Sequence, residues 1–560
     1  MNDMEPVRIM KILTYSALYP NENASIDEIL NRIPTPSSIQ YASYLLMKKS
    51  TLKIGEDEHR LFYMMFPFME QQLAVDLCNY INHNNSDDYE YIDIIALHIL
   101  LDKLLSRQNK LSDNIVESKI LFSEFIRAYL ICCDLHLDSI GDIIPQNLNE
   151  EGFAKLYIQE KMKYHDLESL KDYRFEMMKL CYFLRYIVDS DKYSDWIRIY
   201  SEERKLSRWD YYPLFLVNHF IPLMINEEGA TCNFELESSE YYAYDLLQSM
   251  VVPYTGYNES VDFHDLRSWP IYQSDKLKFT VMSVHFFIDK FFQSFLFDFA
   301  KVLSAQKAIT KISNYSQLKR MIGDEFIEQE FFYKIMEGCF SGYKKFNGRE
   351  LKKLLIDGEP DYILRRGNQI FVFEFKDILL DATTKHSEDF NVIFNELKEQ
   401  FVLSTIDKKS GKQKKKYRPK GIMQLLSVIS TKLPILLNNL SSLYGFTIYP
   451  IIVYTDRNLE IAGINYFLNK EFESSKNLFE ISEEYNVQPL VLLPLEDLTL
   501  LEDYFNSNKL VFESLIQGFY DEDKMLPFSK YMLREAEKQG YHHEMPIRFQ
   551  CLLDELKTIN

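Results

Sequence analysis

Asp361, Glu374 and Lys376 have the types and the spacing for metal-assisted phosphodiester chemistry. They lie in GEPDYILRRGNQIFVFEFKDILL, residues 358–380, with twelve residues between the two acids and one between Glu374 and Lys376. Two carboxylates offer Mg²⁺ the hard oxygen ligands it prefers, and the ion keeps waters in its remaining positions. An ion held in this way polarises a phosphoryl oxygen and acidifies a bound water. Lys376 can orient that water and offset the negative charge that builds in the transition state. The main-chain carbonyl of Phe375, between the two charged residues, is available to complete the coordination.

The local pattern brings these groups together. Residues 361–365 read as a short strand, Gly367-Asn368 as a turn, and residues 369–377 as the returning strand. Alternation puts Ile370, Val372, Glu374 and Lys376 on one face and Phe371, Phe373 and Phe375 on the other, where they would pack against helices. Charges on an otherwise apolar strand face are costly unless they pair or bind a metal. A buried ion pair with a nearby acid is the plain alternative. The hairpin returns Asp361 to the neighbourhood of Glu374.

Pro360-Asp361, followed by Glu374-x-Lys376 inside an apolar strand, resembles the PD-(D/E)XK nuclease superfamily, over the C-terminal part of the chain only. The resemblance implies a restriction-endonuclease-like α-β-β-β-α-β core with a mixed central sheet. It also implies Mg²⁺-dependent cleavage of nucleic acid, DNA before RNA, with Mn²⁺ able to substitute. Many relatives carry an extra acidic ligand on the preceding helix. In GDEFIEQEFFYKIMEGCF both Glu325 and Glu328 qualify, and their helical offset does not choose between them. Downstream, KGIMQLLSVISTKL starts a helix in which Gln424 resembles the polar residue some members place near the scissile phosphate; a surface glutamine is the competing reading. Residues 445–454 then read as a buried strand, matching the core's later strand.

A net charge of −20 opposes any polyanionic partner unless positive charge is concentrated locally. The segment KKSGKQKKKYRPK, residues 408–420, does this with eight Lys or Arg in thirteen residues. Such a run is usually a solvated loop. Beside a nuclease site, Lys414, Lys415, Lys416, Arg418 and Lys420 are expected to contact phosphates, and Tyr417 could stack on an unpaired base.

At 560 residues the chain exceeds what one core usually supports. The expected division is a helical domain over 1–225, a connecting and helical region over 226–310, and the nuclease-like domain with its closing helices over 311–560. Fold class is therefore α+β or α/β, multidomain, with a mostly helical N-terminal half. Seven scattered cysteines show no paired spacing for disulfides or zinc, and none of the eleven histidines forms a metal-binding pair. Adjacent Cys132 and Cys133 read as helix core. The short apolar runs and the absence of a leader pattern point to a cytoplasmic protein without membrane segments. The helical half carries no recognisable chemistry and no phosphate-binding glycine loop. It could mediate homo-oligomerisation or hold a protein partner, or sense a signal and restrain the effector part, as in bacterial antiviral defence proteins. A catalytically silent nuclease-like fold, used for nucleic-acid binding or assembly, is the reading from a different class.

Overall fold

The computed structural model describes residues 11–50, 58–84, 89–107, 118–140, 149–225, 232–237, 240–354, 358–406, 416–438, 445–522 and 525–557. The chain is α+β, with helices dominating. It forms two compact units, residues 1–144 with 195–302, and residues 145–194 with 303–560. Among the described residues no helix is long and apolar enough to cross a membrane.

The first unit is built on long helices, including Thr35–Ser50, Ile94–Arg107 and Ser118–Ile140. Cys132 and Cys133 are fully buried in the last of these. Asp93 shows how such a helix is started: its carboxylate accepts the Ala96 amide at 2.7 Å, which caps Ile94–Arg107, and pairs with His136 Nδ1 at 2.7 Å. Residues 226–302, expected to connect two domains, are instead part of this unit. Strands Asn233–Glu235, Lys278–Val281 and Ile271–Asp275 form an antiparallel sheet there, and Ser283 Oγ meets His98 Nε2 at 2.7 Å.

The expected boundary at residue 225 fails in the other direction too, because residues 145–194 belong to the second unit. Helix α1 (Tyr173–Asp189) buries Phe175 and Phe183 against Phe331 and Phe326, at ring distances of 5.9 and 5.3 Å. Amphipathic periodicity announces that such a helix has an apolar face but not which distant segment covers it.

The second unit is organised around a six-stranded mixed sheet. A π-helical segment, Gly323–Phe332, runs into α2 (Tyr333–Cys339) and precedes β1 (Lys344–Asn347), α3 (Gly348–Leu354), β2 (Tyr362–Arg366) and β3 (Gln369–Lys376). The three strands are antiparallel neighbours. Gly367, at φ +60°, occupies the first central position of the two-residue β2–β3 turn, where a positive φ suits the twist of the strands. After α4 (Phe390–Phe401), an antiparallel ribbon of β4 (Leu403–Ile406) and β5 (Lys416–Pro419) leads into α5 (Gly421–Ser427). Strand β6 (Phe446–Tyr454) then pairs in parallel with β3 and carries β7 (Tyr485–Val487) and β8 (Val491–Pro494) on its far side.

Both faces of β3 are covered. Ile370 and Val372 join a core with Ile393 and Leu397 of α4, and Ile422 and Leu425 of α5. On the opposite face Phe371 stacks on Tyr449 at 4.6 Å, Phe373 faces Phe512 at 6.2 Å, and Phe375 stacks on Phe332 at 5.1 Å. The alternation expected from the sequence is thus present, and each fully buried Phe contributes roughly 1.5–3 kcal/mol.

Candidate active site

Strand register places the two acids. Tyr362 faces Phe373 across β2 and β3, so Asp361 falls opposite Glu374, one step beyond the last ladder pair. Asp361 Oδ2 accepts the Phe375 amide at 2.6 Å, which ties the start of β2 to the end of β3. An extended residue directs its N–H and C=O to the same strand edge, so the Phe375 carbonyl lies on the Asp361 edge as well.

Glu374 is 2% exposed, on the face shared with Ile370 and Val372. Lys376 Nζ donates to Glu374 Oε1 at 2.6 Å and to Gln424 Oε1 at 3.3 Å. Gln424 comes from α5, which packs on β3 and β6. Burial raises the Glu374 carboxyl, against the opposing charges of Lys376 and Lys420. Asp361 is held well above the usual carboxylate range, by burial first and then by Glu374 and Glu328. Burial works against the charge of Lys376, yet Glu374 and Asp361 keep its ammonium above the ordinary value. The site therefore gathers Asp361, Glu374 and Glu328 around the Lys376 ammonium, with Lys420 close enough to act on Glu374.

The upstream helix places the two glutamates in different surroundings. Glu325 turns away to Lys192 Nζ at 2.9 Å and Tyr193 Oη at 2.6 Å, with Tyr186 Oη at 3.4 Å. Burial tends to raise its carboxyl, but the Tyr193 and Lys192 hydrogen bonds prevail and hold it below the usual value. Glu328 faces the cluster, and its carboxyl is pushed up to about 7 by burial, then by Glu374 and Asp324. In an α-helix, residues three apart diverge by only about 60°. The i→i+5 bonding of the π segment widens the turn and separates the two glutamates further.

Tyr333 was not anticipated. Its amide donates to the Glu328 carbonyl, an i→i+5 bond, and burial together with Glu328 and Asp361 raises its phenol. Only the π turn puts these two side chains on one face, so no sequence signal marks the tyrosine. Asp377 ties the end of β3 in place, accepting from Lys319 Nζ at 3.0 Å and Thr455 Oγ1 at 2.7 Å.

Of the expected phosphate contacts, Lys414 and Lys415 lie outside the described residues, and Lys416 is described only as the first backbone position of β5. Arg418 is exposed. Lys420 caps α5 at the rim of the site, where burial, Lys376 and Arg418 lower its ammonium.

Among the described residues no three His, Cys, Asp or Glu side chains group tightly enough to hold a metal ion by themselves. Mg²⁺ asks for less, taking one or two carboxylates and retaining water. Asp361, Glu374 and the Phe375 carbonyl form such an oxygen set, with Asp361 opposite Glu374 across β2 and β3 and Glu374 buried. The donor set fits a divalent cation. No protein-family model, curated protein or solved structure matches the chain.

Proposed function

We propose that this protein is a divalent-metal-dependent phosphodiesterase acting on nucleic acid, DNA before RNA, in the manner of the PD-(D/E)XK nucleases. The observation that carries the reading is the register-locked pair Asp361 and Glu374, with Lys376 on the same face as Glu374 and Glu328 facing both. Supporting it, a helix, three antiparallel strands, a helix and a parallel strand occur in the order the resemblance implies, with α3 inserted between β1 and β2 and the β4–β5 ribbon between α4 and α5.

Asp361, Glu374 and the Phe375 carbonyl would hold a Mg²⁺ or Mn²⁺ ion, which when bound supplies charge to a phosphoryl oxygen and acidifies water. Lys376 has three N–H donors, and Glu374 and Gln424 take two of them. The third is left to meet a phosphate oxygen and offset its developing charge. Gln424 holds the ammonium together with Glu374, so that binding does not have to order it. Glu328 adds a carboxyl that can exchange a proton near neutral pH.

The test is incubation of purified protein with plasmid, linear DNA and RNA, in Mg²⁺, Mn²⁺ or EDTA, beside Asp361→Asn, Glu374→Gln and Lys376→Ala. Cleavage should need the metal, and each variant should lose at least about a hundred-fold in rate, a barrier increase of about 2.7 kcal/mol or more. Equal cleavage by wild type and variants would assign the activity to a contaminant. Binding without cleavage under every condition would favour a nucleic-acid-binding module.

A further inference from the structure

Helix α3 lies against the start of β2. The Gly348 amide donates to the Asp361 carbonyl at 2.9 Å. A Cβ at Gly348 would stand 2.6 Å from Tyr333 Oη, so the helix approaches the site as closely as a glycine permits. Leu351, fully buried in the core beneath the sheet, fixes the rotation of the helix. Lys352 then falls four residues after Gly348, on the same helical stripe, and its Cα–Cβ bond tilts back toward the Asp361 end. Lys353 follows it, and both lysines are exposed. Among the described residues neither forms an ion pair, whereas Arg349, one turn before Lys353, is engaged with Glu330 at 2.6 Å.

This cationic end has a counterpart. Helix α3 packs on β1, whereas α5, with Lys420 at its cap, packs on β3 and β6. The two basic positions thus lie toward opposite sides of the β2–β3 pair that carries Asp361 and Glu374, α3 over β1 and α5 over β3 and β6. A nucleic-acid strand in a duplex carries one charge per about 3.4 Å of axis, so cations on both sides of the carboxylates can meet different phosphates of one strand.

Resting on the reading of the site as a phosphodiesterase, we propose that Lys352 and Lys353 form a second phosphate-contact surface, so that the polymer's backbone crosses the carboxylates from α3 to Lys420. In a chain of net charge −20, a substrate so placed has its scissile phosphate bracketed by cations and is held against repulsion by the surrounding acids. Lysines in a last helical turn also complement the helix carbonyls. That purely structural role would be seen in melting temperature and not in substrate affinity.

The experiment compares wild type, the double variant Lys352→Gln/Lys353→Gln and the charge-retaining Lys352→Arg/Lys353→Arg. Thermal melting, steady-state kinetics and salt-titrated binding are measured on a 30-nucleotide duplex, its single strand and the matching RNA. The Gln pair should raise KM about ten-fold or more near physiological salt, with kcat little changed and melting preserved, and the Arg pair should restore KM. The log–log salt slope should fall by about 0.9 per lost contact for duplex and about 0.7 for single strands, which also identifies the form bound. Unchanged KM and unchanged slope in the Gln pair, with wild type active, overturn the proposal and leave the phosphodiesterase standing. Wild type that binds without cutting overturns the phosphodiesterase, and the salt slope alone then decides whether the surface exists. Neither binding nor cutting by wild type overturns both.

Discussion

Glu328→Gln nearly preserves the shape of the side chain and removes its charge, so it separates the stability of the fold from the demands of the site. The Glu328 carboxyl is pushed from 4.5 to about 7, by burial and then by Glu374 and Asp324. A carboxyl raised in the folded state contributes stability that is complete below the unfolded-state value, near 4.5, and is lost as pH rises through about 7. The difference corresponds to about 3 kcal/mol, and the solvent-open part of the side chain brings the expected effect to roughly 1–3 kcal/mol. At pH 8 the variant should therefore melt higher than wild type, by about 2–4 °C per kcal/mol. Near pH 5 the two should converge. If Asp361 and Glu374 hold Mg²⁺ as proposed, wild type at pH 8 should gain about 2.7 kcal/mol at a hundred-fold excess over the dissociation constant. The variant should gain less, and its cleavage rate should fall while its stability rises. Scanning calorimetry from pH 5 to 8, with and without Mg²⁺, reads all of this. A variant that melts below wild type at pH 8 would refute the raised Glu328 carboxyl, and a wild type indifferent to Mg²⁺ would refute a cation site beside it.

Glu325→Gln should leave cleavage within about three-fold of wild type, because Glu325 is committed to Lys192 and Tyr193; its cost should appear as a small loss of melting temperature, about 1 kcal/mol or less for so exposed a pair. Arg418→Gln combined with Lys420→Gln should weaken polymer binding and reduce the salt slope by about 0.7 to 0.9 per contact, as measured by fluorescence anisotropy. Extending the change to Lys414, Lys415 and Lys416 should deepen the effect if the whole basic segment contacts phosphates. Arg457→Ala should destabilise the second unit by about 3–5 kcal/mol in urea melts, since it strands buried Glu496, paired at 2.7 Å, and Glu460 at 3.6 Å; unchanged midpoints would show that those acids carry protons instead.

What could be read directly from the sequence was whatever depends on near neighbours. The β2–β3 hairpin is legible because a two-residue period and a Gly-Asn turn are local properties, and together they oppose Asp361 to Glu374 whatever surrounds them. The strand Phe446–Tyr454 is legible for the same reason: nine residues, almost all apolar, form a strand buried on both faces. Charge concentration at 408–420 needs only counting, but the lysines of α3 do not stand out until Gly348 is seen against Asp361. Partner choice between distant segments was decided by tertiary packing. An amphipathic helix such as Tyr173–Asp189 states that it has an apolar side, while shape and chain path select Phe326 and Phe331 to cover it. The different surroundings of Glu328 and Glu325 belong to the same class. They depend on a π turn whose i→i+5 bonds re-aim side chains by tens of degrees, and the three- and four-residue spacing read from the sequence does not reveal such a turn.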